Sequence, residues 1–298
     1  MTTKRKKETL YKTEYSLRGD NNEPHEEAKF KTAYREFDED ENLILDITYL
    51  EDGSIDRKYE YEYDDGKLVD EKLFYDDALS EHNSYTYDKG KLTRSFIHYQ
   101  DGSKDTVLYE YDPQGHLIKK TLMDEDEEVE EVQEWDYDDD NLISMKKYEE
   151  NLNKPVWEEK SEYDEEKRLI EHVIWDYPEE KTYKQVLEYD EEGRESMIKT
   201  YVNEQLKEKT MFERDENGRP HVVIEEKPGE RTRIIQQFDD NGHVITQKVY
   251  DKEDYELYDI SRKYDENGIM LESVVMEDEN RMGAYSMYKI TTEVEYSE

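Results

Sequence analysis

Ten copies of one short motif constrain this chain more than any other feature of its sequence. Aligned on the residue before each acidic turn, the anchors are Phe37, Tyr63, Tyr87, Tyr111, Tyr137, Tyr163, Tyr189, Arg214, Phe238 and Tyr264, spaced 24 to 26 residues apart. Each is followed at once by an aspartate: Asp38, Asp64, Asp88, Asp112, Asp138, Asp164, Asp190, Asp215, Asp239 and Asp265. A fixed period of this length marks a repeat architecture, in which one supersecondary unit stacks on its neighbours.

The unit reads as a β-hairpin. Residues alternate on the approach to the anchor, so that Tyr59, Tyr61 and Tyr63 share one face of a strand and Glu60 and Glu62 the other. Turns follow, as in Tyr63-Asp-Asp-Gly-Lys-Leu68 and Phe238-Asp-Asp-Asn-Gly-His-Val244. There an aspartate bonds its own downstream backbone, and Gly or Asn takes the positive φ of a tight hairpin. The ten aspartates are therefore expected to be structural turn residues. Second turns such as Gln100-Asp-Gly-Ser103 lead on to the next repeat.

Roughly twenty strands at ~4.8 Å would run about 100 Å along the sheet, and a twist of ~20° per strand accumulates past a full turn. The expected fold is all-β: an elongated, twisted antiparallel meander of about ten β-hairpin repeats, forming a superhelical or partly curled sheet. Residues 1–36 are expected to be a basic N-terminal arm and capping hairpin, 37–283 the tandem repeats, and 284–298 a C-terminal capping strand.

The repeated Tyr-Asp-x-(x)-Gly-x-Leu resembles the YD repeats of the RHS family. It is similar more loosely to the MORN-like repeats of bacterial antitoxins. The resemblance covers nearly the whole chain and implies a spiralling β-architecture. It does not extend to the self-cutting RHS core, because Asp112-Pro113-Gln114-Gly115 matches that core's Asp-Pro-x-Gly only as one of the repeated turns.

Composition bears on what such a sheet meets. Asp and Glu number 82 against 42 Lys and Arg, a formal net charge of −40, and only 33% of residues are hydrophobic. Low hydrophobicity with high charge ordinarily gives disorder. The 27 tyrosines offset this, since each ring brings a large apolar body whose polar tip tolerates water. The charge repels nucleic acid and anionic membrane alike. It complements a basic protein, and it would equally keep an open sheet soluble. The basic start Met1–Lys7 leads into polar residues, without an apolar run, so the expectation is a cytoplasmic protein with no signal peptide.

The patterns that usually carry chemistry are missing. There is no cysteine, no Gly-rich phosphate loop, no His-Glu-x-x-His and no nucleophile elbow. The seven histidines (His25, His82, His98, His116, His172, His221 and His243) are scattered over different repeats without ligand spacing. Asp136–Asn141 begins like a calcium loop, but Lys147 stands where the closing Glu belongs. The expectation is no enzyme, no metal and no cofactor.

One segment departs from the repeat. Asp124 to Asp140 holds twelve acids in seventeen residues, interleaved with Val129, Val132, Trp135 and Tyr137. It reads either as an acidic hairpin loop with an ordinary strand or as a docking patch for Arg and Lys. The patch residues are Glu125, Asp126, Glu127, Glu128, Glu130, Glu131, Asp138, Asp139 and Asp140, with Trp135 as an aromatic anchor. Trp157 and Trp175 in neighbouring repeats would extend it as an aromatic ridge. The leading expectation is a non-enzymatic acidic protein that binds and neutralises or docks a basic protein partner (a toxin, effector or nuclease), as an immunity protein or antitoxin does. The alternatives are a nucleic-acid-mimicking inhibitor and a structural scaffold repeat in a larger bacterial assembly.

Overall fold

The computed structural model describes residues 5–18, 23–149, 152–278 and 286–297. The expected arm residues Met1–Lys4, and residues 284, 285 and 298 of the expected closing strand, lie outside them. Contacts divide the chain into two compact units: Met1–Glu81 with Glu213–Ile224 and Glu230–Glu298, and His82–Phe212 with Glu225–Gly229.

The first unit holds β1 (Arg5–Arg18), β2 (Glu23–Phe37), β3 (Leu43–Tyr49), β4 (Ile55–Asp64) and β5 (Lys67–Tyr75). With them are β18 (Glu230–Phe238), β19 (Val244–Tyr250), β20 (Glu256–Tyr264), β21 (Met270–Glu277) and β22 (Ser286–Ser297). Antiparallel ladders join β5 through β1 in succession, and β22 back through β18. The second unit begins at His82 within β6 (Ala78–Asp88) and runs through β7 (Lys91–His98), β8 (Lys104–Tyr111), β9 (Leu117–Met123), β10 (Val129–Asp138) and β11 (Asn141–Glu149). It continues as β12 (Trp157–Tyr163), β13 (Leu169–Asp176), β14 (Lys181–Tyr189), β15 (Glu195–Val202) and β16 (Gln205–Arg214) as far as Phe212. Here too each strand pairs antiparallel with the next. β17 (Pro220–Lys227) completes the 22.

All 22 strands belong to one sheet, and its first and last members pair with each other. Arg5 to Tyr15 of β1 face Ser297 to Met287 of β22, eleven residues in unbroken antiparallel register. The sheet therefore closes as a β-barrel, which corrects the expected superhelical or partly curled meander. The cause is visible at nine of the ten anchors. Glu62 opposes Asp70 while the next residue, Tyr63, opposes Leu68, so Val69 is one residue too many on its strand. The same register shift precedes Phe37, Tyr87, Tyr111, Tyr137, Tyr163, Tyr189, Phe238 and Tyr264. A β-bulge bends its strand and deepens the local twist, and bulges are what curve a sheet towards closure. Strand spacing and average twist alone, from which the meander was inferred, leave this term out.

The anchors end the even-numbered strands from β2 to β20. Their rings define one face of the sheet, here the anchor face. The buried Ala33, Leu73, Val107, Leu187 and Val275 lie on it by strand alternation or direct pairing, as do Glu8, Ser95 and Ser273. Neighbouring repeats are stitched through the anchors. The hydroxyls of Tyr111, Tyr163, Tyr189 and Tyr264 donate to the carbonyls of Leu92, Leu142, Leu169 and Val244, at 2.9, 2.9, 2.6 and 3.2 Å. Each acceptor stands at or next to the start of the preceding hairpin's second strand. Phe238 has no hydroxyl, and there Arg219 stacks on the ring at 4.8 Å and donates to the Asp239 carbonyl at 2.9 Å.

The turn aspartates fall into two kinds. At Asp38, Asp112, Asp164, Asp190, Asp215, Asp239 and Asp265, one carboxylate oxygen accepts backbone N–H groups of the turn. At Asp164, Asp190 and Asp215 the second oxygen accepts from an arginine four residues on: Arg168, Arg194 or Arg219. Asp64, Asp88 and Asp138 instead close tighter hairpins, paired with Lys67, Lys91 and Asn141. Positive φ there falls on Asp65 and Gly66, on Lys89 and Gly90, and on Asp139. The backbone alone makes those turns, with no side-chain bond from Asp64 among the described residues.

The two kinds should respond differently to truncation. The backbone N–H of Arg194, then its guanidinium, hold the Asp190 carboxyl below the ordinary carboxylate range. A depressed folded pKa means stability present above the unfolded value near ~4 and lost as pH falls through the folded one. Asp190→Ala is therefore expected to lower the melting temperature by about 2–5 °C at neutral pH and by almost nothing near pH ~2. Asp64→Ala should shift it by less than about 1 °C at either pH. Equal shifts for both variants in thermal melts would refute the distinction.

Candidate functional site

The acidic segment does not form one patch. Asp124 to Glu128 make the turn between β9 and β10: Asp124 N–H donates to the Glu128 carbonyl at 3.0 Å, and Glu127 takes φ +62°. Asp124 Oδ1 accepts the N–H groups of Asp126 and Glu128 at 3.0 and 2.8 Å. Its own carboxylate is thus spent on the backbone, while those of Glu125, Asp126, Glu127 and Glu128 are left exposed. Glu130 and Val129 follow, also exposed. No described cation pairs with any of these five carboxylates.

Glu131 behaves differently. It lies on the anchor face, and its side chain is only 19% exposed, with Lys147 Nζ at 2.8 Å. Partial burial alone would raise its carboxyl, but the hydrogen bonds from Lys147 and Gln133 outweigh that and hold it low. Trp135 is half-buried on the same face, opposite Met145.

Asp138, Asp139 and Asp140 sit at the far end of β10, ten residues on, or about 30 Å away at the rise of an extended strand. Asp138 is exposed at the strand end. Asp139 accepts from Lys167 Nζ at 2.8 Å, and that hydrogen bond holds its carboxyl low. Asp140 lies 3.0 Å from His116 Nε2, whose Nδ1 is 2.8 Å from Asp112 Oδ2. The imidazole also stacks on Tyr137, with ring centroids 4.7 Å apart. The Asp112 bond, then the Asp140 bond, raise the His116 pKa above its ordinary value. Asp112, Gln114, His116, Tyr137, Asp139 and Lys167 line an open groove of about 490 Å³.

The predicted docking residues thus separate into three places: an unneutralised hairpin end, a paired carboxylate on the anchor face, and a second hairpin end where His116 and Lys167 answer two of the three acids. Sequence reasoning missed these counter-charges. The hairpin register would have found one of them, since the tight turn at Asp139–Asp140 sets Lys147 opposite Gln133, two residues from Glu131. The aromatic ridge is also broken. Trp157, six residues before the anchor Tyr163, lies on the anchor face, whereas Trp175 pairs with Glu158 and Thr182 and lies on the other. Among the described residues, no group of three or more His, Asp or Glu is placed to hold a metal ion.

No family model and no curated protein matches this sequence. Several solved structures are similar to it at low identity. One is a mutant Tc holotoxin pore of Photorhabdus luminescens: 12% identity, TM-score 0.28, covering 86% of this chain and 19% of that one. A second is a TcdB2–TccC3 crystal structure: 12% identity, TM-score 0.29, covering 97% and 22%. A third is a porin-like protein from Bacteroides uniformis: 10% identity, TM-score 0.29, covering 99% and 98%. The chain spans about a fifth of the length of the toxin-complex chains it matches.

Proposed function

We propose that this chain is a YD-type repeat protein that acts by binding, not catalysis, and that it docks a basic protein partner in the manner of an immunity protein or antitoxin. The observation that carries this reading is the β9–β10 hairpin end, where five exposed carboxylates meet no cation among the described residues. Elsewhere many carboxylates hold a turn or a neighbouring Lys, Arg or His. A concentrated, unneutralised charge steers an oppositely charged partner and raises its association rate. Val129 supplies an apolar contact within it, 42% exposed.

An aqueous compartment such as the cytoplasm suits the same surface. A barrel wall against lipid needs a tall apolar band on its outward face. Charges stand on both faces here: β10 carries Glu131 on the anchor face and Glu134 and Asp136 on the other.

The test compares two variants of equal charge. One carries Gln at Glu125, Glu127, Glu128 and Glu130. The other removes four carboxylates at anchor turns: Asp65→Asn, Glu165→Gln, Glu191→Gln and Glu216→Gln. A partner captured on the wild-type protein is then followed by surface kinetics across a salt series. The hairpin variant should associate about 10-fold more slowly, with a shallower salt dependence and little change in dissociation. The anchor-turn variant should lose less than about a third as much on a logarithmic scale. Equal losses in both would reduce the acidity to bulk solvation.

A further inference from the structure

The anchor face of β12 to β15 carries a cradle that the repeat pattern does not announce. Direct pairing sets Glu159, Ile174 and Tyr183 in one row across three strands, and Ser161, His172, Gln185 and Thr200 in the next. Trp157 stands in the row on the other side, opposite Asp176. Trp157, His172, Ile174, Tyr183, Gln185 and Thr200 line an open space of about 460 Å³.

Its polar edges are already engaged. Glu159 accepts the Trp157 indole N–H at 2.7 Å and lies 3.4 Å from His172 Nε2, while Ser161 Oγ is 3.1 Å from His172 Nδ1. This network locks the indole and the imidazole and leaves their ring faces to the cradle. Elsewhere the chain covers several of its aromatic faces with its own cations: Lys58 over Phe74 at 4.2 Å, Arg168 over Tyr189 at 4.7 Å, Lys160 over Trp175 at 5.4 Å and Arg233 over Tyr250 at 4.8 Å. Among the described residues none covers Trp157 or Tyr183, and the Tyr183 hydroxyl has no hydrogen-bond partner. Glu159 is the carboxylate at the cradle itself; Asp176, in the adjoining row of the same face, is opposed directly by Lys181, whose ammonium is held by Glu179.

We propose that this cradle takes a guanidinium group, supplied by an arginine of the basic partner, and the proposal rests on the docking reading above. Two aromatic side chains beside a fixed carboxylate, in a chain of net charge −40, favour a cation over a neutral ring. A guanidinium fits better than an ammonium, because it is planar, weakly hydrated and stacks on aromatic faces. Gln185 and Thr200 supply acceptor oxygens for its N–H donors at the rim.

The test needs no partner. Trp135→Phe with Trp175→Phe leaves Trp157 as the sole indole, and its fluorescence is titrated with N-acetyl-arginine amide and with its neutral isostere N-acetyl-citrulline amide. Saturable binding of the arginine probe is expected with Kd on the order of 1–10 mM. The citrulline probe should bind at least about 10-fold more weakly. Tyr183→Leu and Glu159→Gln, each with unchanged circular dichroism and melting, should weaken the arginine probe about 5-fold or more. No saturation by roughly 50 mM, or equal response to both probes, would overturn the cradle and leave the docking reading standing. Full probe binding in a protein whose partner kinetics ignore the hairpin carboxylates would do the reverse.

Discussion

A chain with Leu10 and Thr292 both replaced by cysteine should oxidise to a single intramolecular bridge and melt about 10 °C above its reduced form. These residues pair directly in the β1–β22 ladder. Directly opposed antiparallel residues lie ~4.5–5.5 Å apart at Cα, inside the range a disulfide spans. The natural sequence has no cysteine to compete. The bridge closes a loop of nearly the whole chain, for which the chain-entropy model gives a ceiling of about 6 kcal/mol. Leu10→Cys with Tyr288→Cys, four residues out of register, should not bridge. Non-reducing electrophoresis reads the outcome directly. Only intermolecular dimers from the in-register pair would mean that the first and last strands do not meet.

The second large effect is expected at an anchor. Tyr189→Ala removes a ring that Arg168 covers, a hydroxyl that donates to the Leu169 carbonyl, and the neighbour of buried Leu187. For a half-buried ring the cost should be about 2–3 kcal/mol, below the ~3–5 of a fully buried aromatic. Tyr189→Phe keeps the ring and loses one hydrogen bond, so about 1 kcal/mol is expected. Denaturant unfolding of both variants separates the two contributions. If Phe costs as much as Ala, the hydroxyl and not the ring is what stitches the repeats.

The strands were legible because their signals are local. Alternation through Tyr59, Tyr61 and Tyr63 and the turn chemistry at Asp38 or Asp190 need only a few residues of context. Closure was not legible, because it depends on a sum over repeats. A bulge such as that at Val69 appears only once Glu62 and Tyr63 have found their partners on β5. Its consequence, the meeting of β1 with β22, joins residues almost 290 positions apart. The candidate site was legible as composition and not as geometry. A run of twelve acids shows charge density, but a ten-residue strand carries its two ends about 30 Å apart. The counter-ions Lys147 and Lys167 and the partner imidazole of His116 arrive across strands, where sequence distance says little. Nothing in the motif marks Trp157 or Tyr183, which occupy strand positions outside the repeated signature.

The direction of the pairing at the seam restricts how such a ring can change in evolution. β1 meets β22 antiparallel, and every other described neighbour pair is antiparallel as well, so strand direction alternates around the circuit. Alternation around a closed circuit demands an even number of members. Losing or gaining one strand would force a parallel pair at the seam and invert its hydrogen-bond pattern. Losing or gaining a whole 24- to 26-residue repeat removes or adds two strands and leaves the parity intact. Duplication and deletion of complete repeats is therefore the step size by which relatives of this chain can differ in circumference, with insertions of other lengths confined to the turns.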